Sequence, residues 1–140
     1  MKLLAEHHEP IAALIARIVL GFLFFFQGYD AVFNVKIKNV IEAYENSFSS
    51  KGIPKVFTFL GAWFTSLIEL IGGLLLIFGL FQYHTLCLLG IGLIIASVAF
   101  GMVKPMWDMR HFFPRLLLLL FLLLIPDSWN TLSLDAILIS

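Results

Sequence analysis

Long apolar runs set the organisation of this chain. Three of them, at about residues 11–29, 56–80 and 85–103, approach or exceed the ~20 residues with which an α-helix crosses the apolar core of a bilayer. A fourth run is uninterrupted only over residues 116–125, and it reaches spanning length if the helix covers residues 107–126. The pattern predicts an all-α integral membrane four-helix bundle in a single domain over residues 1–140. A re-entrant fourth helix is the alternative.

The link between the first two spans has a different pattern. Its apolar residues recur at helical spacing, and lysines and glutamates occupy the other faces. This is typical of an amphipathic helix, which is predicted either to lie at the membrane surface or to pack over the end of the bundle. The apolar positions are Phe33, Ile37, Val40, Ile41, Tyr44 and Phe48.

Composition excludes several classes of protein. Hydrophobic residues make up 61% of the chain and charged residues 13%, against roughly 25% charged residues in soluble domains. The net charge is zero, so no nucleic-acid partner is expected. Cys87 is the only cysteine, which excludes an internal disulfide. The first run has no small-residue cleavage site and is expected to be a retained helix. The distribution of Lys and Arg favours a cytoplasmic location for the first and third links.

Two charged residues, Arg17 and Glu69, fall inside predicted spans. Ionisable groups are costly in the apolar part of a bilayer and usually face the interior of a bundle. We therefore predict a buried ion pair that locks the first two helices together. The alternative is that Glu69 carries a proton or contacts a ligand. Small or polar residues accompany both charges at helical spacing: Ala13, Gly21 and Gly28 on the first span, and Ala62, Thr65, Ser66, Gly72 and Gly73 on the second.

A second polar group lies at the start of the fourth span. Asp108, His111 and Arg115 are spaced so that they share one face of a helix. Together with Gln27, near the end of the first helix, they are predicted to line the mouth of a pocket. A charged collar at the membrane interface is the alternative. No residue is assigned a catalytic role, and no metal site is expected.

Four short motifs follow one another in a recognisable order. They are Arg17 with Gly21 and Gln27-Gly28-Tyr29, then Gly52-Ile53-Pro54, then Glu69 with Gly72-Gly73 and Gly79, and finally Ser133-Leu134-Asp135. In this order they resemble the DoxX-type membrane proteins. The chain departs from that pattern at Asp30, where a lysine is usual, and in residues 126–129, where a Gly-Pro-Gly turn is common. It also has His111 and Arg115 near the place of an acidic residue.

The resemblance implies a four-helix bundle, and the expected location is a bacterial inner membrane. It also hints at redox association, because the family takes its name from a subunit of a thiosulfate:quinone oxidoreductase. The first functional hypothesis is a non-catalytic membrane subunit that needs no cofactor and anchors or organises partner proteins, or forms a homo-oligomer. The second is a quinone-linked redox component, with Glu69, His111 and Arg115 near the quinone headgroup. The third is a small transporter or lipid-handling protein.

Overall fold

The computed structural model describes residues 8–48, 51–103 and 112–139, and within these ranges all regular structure is helical. This confirms the predicted all-α fold. Two short turns of other helix types accompany the α-helices: a π-helical turn, Asp30–Asn34, directly after the first α-helix, and a 3₁₀ turn, Asp127–Trp129, after the fifth α-helix. The α-helices are α1 (His8–Tyr29), α2 (Ile37–Phe48), α3 (Lys55–Phe78), α4 (Gln82–Val103), α5 (Phe112–Leu124) and α6 (Leu134–Ile139).

Three helical stretches are long and apolar enough to cross a membrane: His8–Asn34, Lys55–Phe78 and Gln82–Ala99. The described part of α5 has 13 residues, which is about 20 Å of helix against the roughly 30 Å thickness of the apolar core. The predicted start of this helix, at residue 107, lies outside the described residues. The structure is therefore a membrane helical bundle as predicted, and a complete crossing by α5 stays a prediction.

Helices α1 and α3 are antiparallel, and glycines set their register. A Cβ atom added at Gly28 would lie 2.6 Å from Cα of Leu70, and one added at Gly73 would lie 2.7 Å from Cα of Phe25. These separations are far below van der Waals contact, so only glycine lets the two backbones approach so closely. Gly28 is thus level with Leu70, and Phe25 is level with Gly73.

The apolar core joins α1, α3, α4 and α5. Its most buried side chains are at most 1% exposed, and Leu119 and Leu122 of α5 pack against them. Large apolar side chains such as Phe26 and Ile94 are more than 60% exposed on the outside of the bundle, where a bilayer would cover them. The central members of the core are Leu20, Phe24, Leu76, Leu86 and Leu89.

The amphipathic helix α2 packs against α3. Ile37 and Phe48 are its buried residues, and Glu45 forms an exposed ion pair of 3.4 Å with Lys55 at the start of α3. These contacts agree with the alternative in which the helix covers part of the bundle. The chain reaches α2 through Lys36, whose φ of +66° lies in the left-handed region.

A tight turn joins α3 to α4. Gly79 has φ of +69°, and its N–H donates to the Leu76 carbonyl as α3 ends. The carboxylate of Asp135 then accepts hydrogen bonds from the backbone N–H groups of Phe81 and Gln82, each at 2.9 Å. Residues 126–139, here called the C-terminal segment, are in this way docked on the α3–α4 turn.

Candidate functional site

The carboxylate of Glu69 lies where α1 and α3 pack together. Its Oε1 accepts a hydrogen bond of 3.1 Å from Nε2 of Gln27, and the residue is half-buried. The close helix contact explains this hydrogen bond, because Gly28 packs against the backbone of Glu69 and Leu70 and so brings the neighbouring Gln27 within reach of the Glu69 side chain. The carboxyl group of Glu69 in the apolar bundle is thus hydrogen-bonded by a neutral amide.

Arg115 approaches the same carboxylate from α5. Its guanidinium carbon lies 5.6 Å from the centre of the Phe24 ring, a cation–π distance, and it interacts electrostatically with Glu69. The Nε atom of Arg115 is buried and has no hydrogen-bond partner among the described residues. Arg115 therefore has an N–H group near Glu69 that can still donate a hydrogen bond.

Tyr44 reaches this cluster from α2. It hydrogen-bonds with Thr65 of α3, whose hydroxyl also donates to the Gly61 carbonyl at 2.8 Å. Burial is the main cause of the raised pKa of Tyr44, and electrostatic repulsion by Glu69 adds to it. The hydrogen bond with Thr65 lowers this pKa, but by less than burial raises it. The phenol is consequently protonated at neutral pH and can donate a hydrogen bond. We call Gln27, Tyr44, Thr65, Glu69 and Arg115 the Glu69 site.

An apolar groove of about 700 Å³ adjoins the Glu69 site. It runs between α2, α3 and α4, and Tyr44 belongs both to its wall and to the Glu69 site. The remaining wall is almost entirely aliphatic and aromatic, with Phe48, Phe57, Leu60, Ile94 and Val98 among its residues. The polar cluster therefore has an apolar compartment beside it.

Arg17, the other predicted buried charge, has different partners. It is only 3% exposed, and its Nη2 donates a 2.7 Å hydrogen bond to the Leu132 carbonyl in the C-terminal segment. Asp135 attracts it electrostatically. Its guanidinium rests on Gly79, where an added Cβ would lie 2.7 Å from Cζ of Arg17.

The predicted ion pair between Arg17 and Glu69 is therefore not confirmed, and the structure corrects the pairing. Arg17 lies at the level of Gly79, ten residues beyond Glu69 along α3. At 1.5 Å per residue this is about 15 Å of helix, beyond the reach of an arginine side chain. The sequence showed two charges in two adjacent helices, but the close contacts at Gly28 and Gly73 fix a register that separates them.

The structure describes only two of the four residues of the predicted polar pocket. Gln27 and Arg115 both lie against Glu69, whereas Asp108 and His111 lie outside the described residues, so the pocket as a whole stays a prediction. Sequence reasoning missed Tyr44 as a site residue, because its position fitted the apolar face of α2. It also missed Asp135 as a neighbour of Arg17, although the Ser133-Leu134-Asp135 motif had marked that position.

The DoxX family model matches residues 12–102, well over half of the chain. The chain belongs to the DoxX family. The resemblance seen in the motifs is thereby confirmed, and most of the Glu69 site lies in the matched region, with Arg115 beyond its end. No curated protein and no solved structure matches this DoxX protein in the corresponding searches.

Proposed function

We propose that this DoxX protein binds the headgroup of a lipid-soluble quinone at the Glu69 site, as the membrane component of a redox system. One observation carries the proposal. The Glu69 carboxylate lies in the apolar bundle against the neutral amide of Gln27, next to an apolar groove that shares Tyr44 with it. A proton-accepting group beside a groove for an apolar tail is the combination that a quinone site needs.

The residues supply the contacts that such a headgroup requires. A quinone has carbonyl oxygens that accept hydrogen bonds, and its reduction to a quinol takes up two electrons and two protons. Tyr44, Gln27 and Arg115 are hydrogen-bond donors, and Glu69 can release or accept a proton. The electrons would come from a partner redox enzyme, in keeping with the redox association of the family name.

Quinone content of the purified protein tests the proposal. Protein extracted in mild detergent should retain quinone that can be extracted and quantified by chromatography. Glu69→Gln keeps the size of the side chain but cannot exchange a proton, and loss of one charged hydrogen-bonding group should lower quinone affinity roughly tenfold. Tyr44→Phe, which removes one donor, should lower it as well.

Glu42→Gln is the matched control. Glu42 is an exposed carboxylate on α2, so its loss changes the charge of the protein equally and leaves the site intact. Quinone content should then equal that of the wild type. Equal quinone in the wild type and in Glu69→Gln, at equal thermal stability, would contradict the proposal.

Anchoring of partner proteins is a second candidate function. Helix α2 carries a charged outer face, with exposed Lys38 and Glu42, beside the bundle and outside the three long spans. Such a face can bind a peripheral protein. Affinity purification in mild detergent should recover a stoichiometric partner that is lost from a Lys38→Glu, Glu42→Lys double variant. Recovery of the same partner with that variant would exclude α2 as the anchoring surface.

A further inference from the structure

A polar cavity lies at the end of the bundle where the C-terminal segment docks. It has a volume of about 590 Å³ and is lined by the first turns of α4, the end of α5 and the C-terminal segment. None of the five residues of the Glu69 site lines it. We call this space the C-terminal cavity, and its chemistry differs from that of the apolar groove.

Gln82 gives the first indication of a ligand. This residue lines the cavity and is only 6% exposed, yet its side-chain Oε1 has no hydrogen-bond partner among the described residues. The backbone of Gln82 is held by the hydrogen bond from its N–H to Oδ2 of Asp135. Buried polar atoms are normally hydrogen-bonded. A ligand that donates a hydrogen bond to Oε1 would therefore complete this environment.

The charges around the cavity specify the sign of that ligand. Asp127 and Asp135 both line it, and its described lining contains no lysine or arginine. Arg17 approaches Asp135 but stands outside the lining, with its Nη2 bonded to the Leu132 carbonyl. Each oxygen of Asp135 accepts one backbone N–H and has a second lone pair. The cavity consequently favours a cation with N–H donors.

Much of the remaining lining is apolar. Leu86, Leu122 and Ile125 face the cavity from α4 and the end of α5. Trp129 lies in the adjacent 3₁₀ turn, and tryptophan is enriched where the membrane meets water. The volume falls within the roughly 300–1,000 Å³ of small-molecule sites and far exceeds that of a bare metal ion. An amphiphile at the level of the lipid headgroups fits these walls.

We propose that the C-terminal cavity binds a primary ammonium group attached to an apolar chain. Gln82 Oε1 and the Asp127 carboxylate accept hydrogen bonds from the ammonium, and Leu86 and Leu122 contact the chain. An ethanolamine phospholipid and a free alkylamine both carry this group. The proposal does not rest on the quinone proposal, since the two sites share no residue.

Titration of the purified full chain in nonionic detergent tests the proposal. The probes are short-chain phosphatidylethanolamine, phosphatidylcholine, phosphatidylglycerol and octylamine, with binding followed by native mass spectrometry. Phosphatidylethanolamine should bind saturably. Phosphatidylcholine should bind roughly tenfold more weakly, because its trimethylammonium group has no N–H to donate. Binding of octylamine as tight as that of the lipid would identify a free amine as sufficient, and much weaker binding would identify the lipid as the ligand.

Two variants locate the binding. Asp127→Asn and Gln82→Leu should each weaken phosphatidylethanolamine binding about fivefold, and Glu42→Gln, on the α2 surface, should leave it unchanged. Thermal unfolding of each variant checks that it is folded. Asp127 is exposed, so Asp127→Asn should not disturb the fold. If Gln82→Leu does not fold, the binding measured with Asp127→Asn alone tests the proposal. Equal binding of the two zwitterionic lipids, or wild-type binding by folded Asp127→Asn, would overturn the proposal and leave the cavity to water.

Discussion

Individual glycines decide which polar side chains meet in this protein. Gly73 packs so closely that an added Cβ would lie 2.7 Å from both Cα of Phe25 and the carbonyl oxygen of Gly21. Both neighbours are backbone atoms, which cannot swing aside as a side chain can. The contact between Gln27 and Glu69 depends on this close approach of α1 and α3.

Gly73→Ala should therefore destabilise the protein by about 2 kcal/mol, the usual cost of overpacking. Gly61→Ala is the matched control, since nothing lies within 4 Å of an added Cβ there and alanine favours the helix. Thermal unfolding in mild detergent should show a lower midpoint for Gly73→Ala and an unchanged or higher one for Gly61→Ala. Equal midpoints would show that the two helices are not in backbone contact.

The presence of buried charges could be predicted from the sequence, but their partners could not. Arg17 and Glu69 stand out because charges are rare within apolar runs. Their partners depend on the register of α1 against α3 and on the path of the C-terminal segment, and neither is encoded in helical periodicity. Gln27 was predicted as a pocket residue from its position near the end of the first helix, but its hydrogen bond to Glu69 was not predicted. Tyr44 is indistinguishable from an apolar-face residue until α2 is placed.

At the scale of elements, the C-terminal segment supplies hydrogen-bond acceptors to the N-terminus of α4. The first N–H groups of a helix have no partner within that helix. Here Asp135, 53 residues further along the chain, supplies the acceptor for Gln82, and its backbone N–H donates to the Gly79 carbonyl at 3.0 Å. Periodicity predicted the long helices, and it gave no sign of a cap supplied by so distant a residue.

Asp135→Ala should destabilise the protein by about 2 kcal/mol, because it removes two interactions at once. The carboxylate caps the N-terminus of α4, and it also attracts the charge of Arg17. Limited proteolysis should cut the C-terminal segment faster in this variant. Asp127→Ala removes an exposed carboxylate of the same segment and should change neither measurement. Equal proteolysis of the two variants would mean that Asp135 does not hold the segment in place.

At the scale of the whole molecule, the described contacts divide the bundle into two ends. Lys51 donates to the Met102 carbonyl, so the turn before α3 lies beside the end of α4. The α3–α4 turn and the C-terminal segment lie at the other end, with Arg17. The quinone proposal and the ammonium proposal thus concern different depths of the same membrane protein.

Single cysteines should report these two ends from opposite sides of the membrane. In a Cys87→Ser background, Lys38→Cys and Asp127→Cys place thiols at exposed positions of α2 and of the C-terminal segment. With the first link in the cytoplasm, an impermeant maleimide should label Asp127→Cys in intact cells and Lys38→Cys only in inverted vesicles. The reverse pattern would correct the orientation, and labelling of both from one side would contradict the arrangement of the bundle.

The hydrogen bond between Arg17 and Leu132 joins residues 115 positions apart, and this separation has a consequence for biosynthesis. A ribosome makes α1 long before it makes Leu132. Until that residue emerges, the Arg17 guanidinium lacks the carbonyl that it binds in the finished protein, and α4 lacks the carboxylate that caps it. Assembly in the membrane therefore ends only after translation has passed Asp135, and until then the nascent chain carries an arginine in α1 whose final partners have not been made.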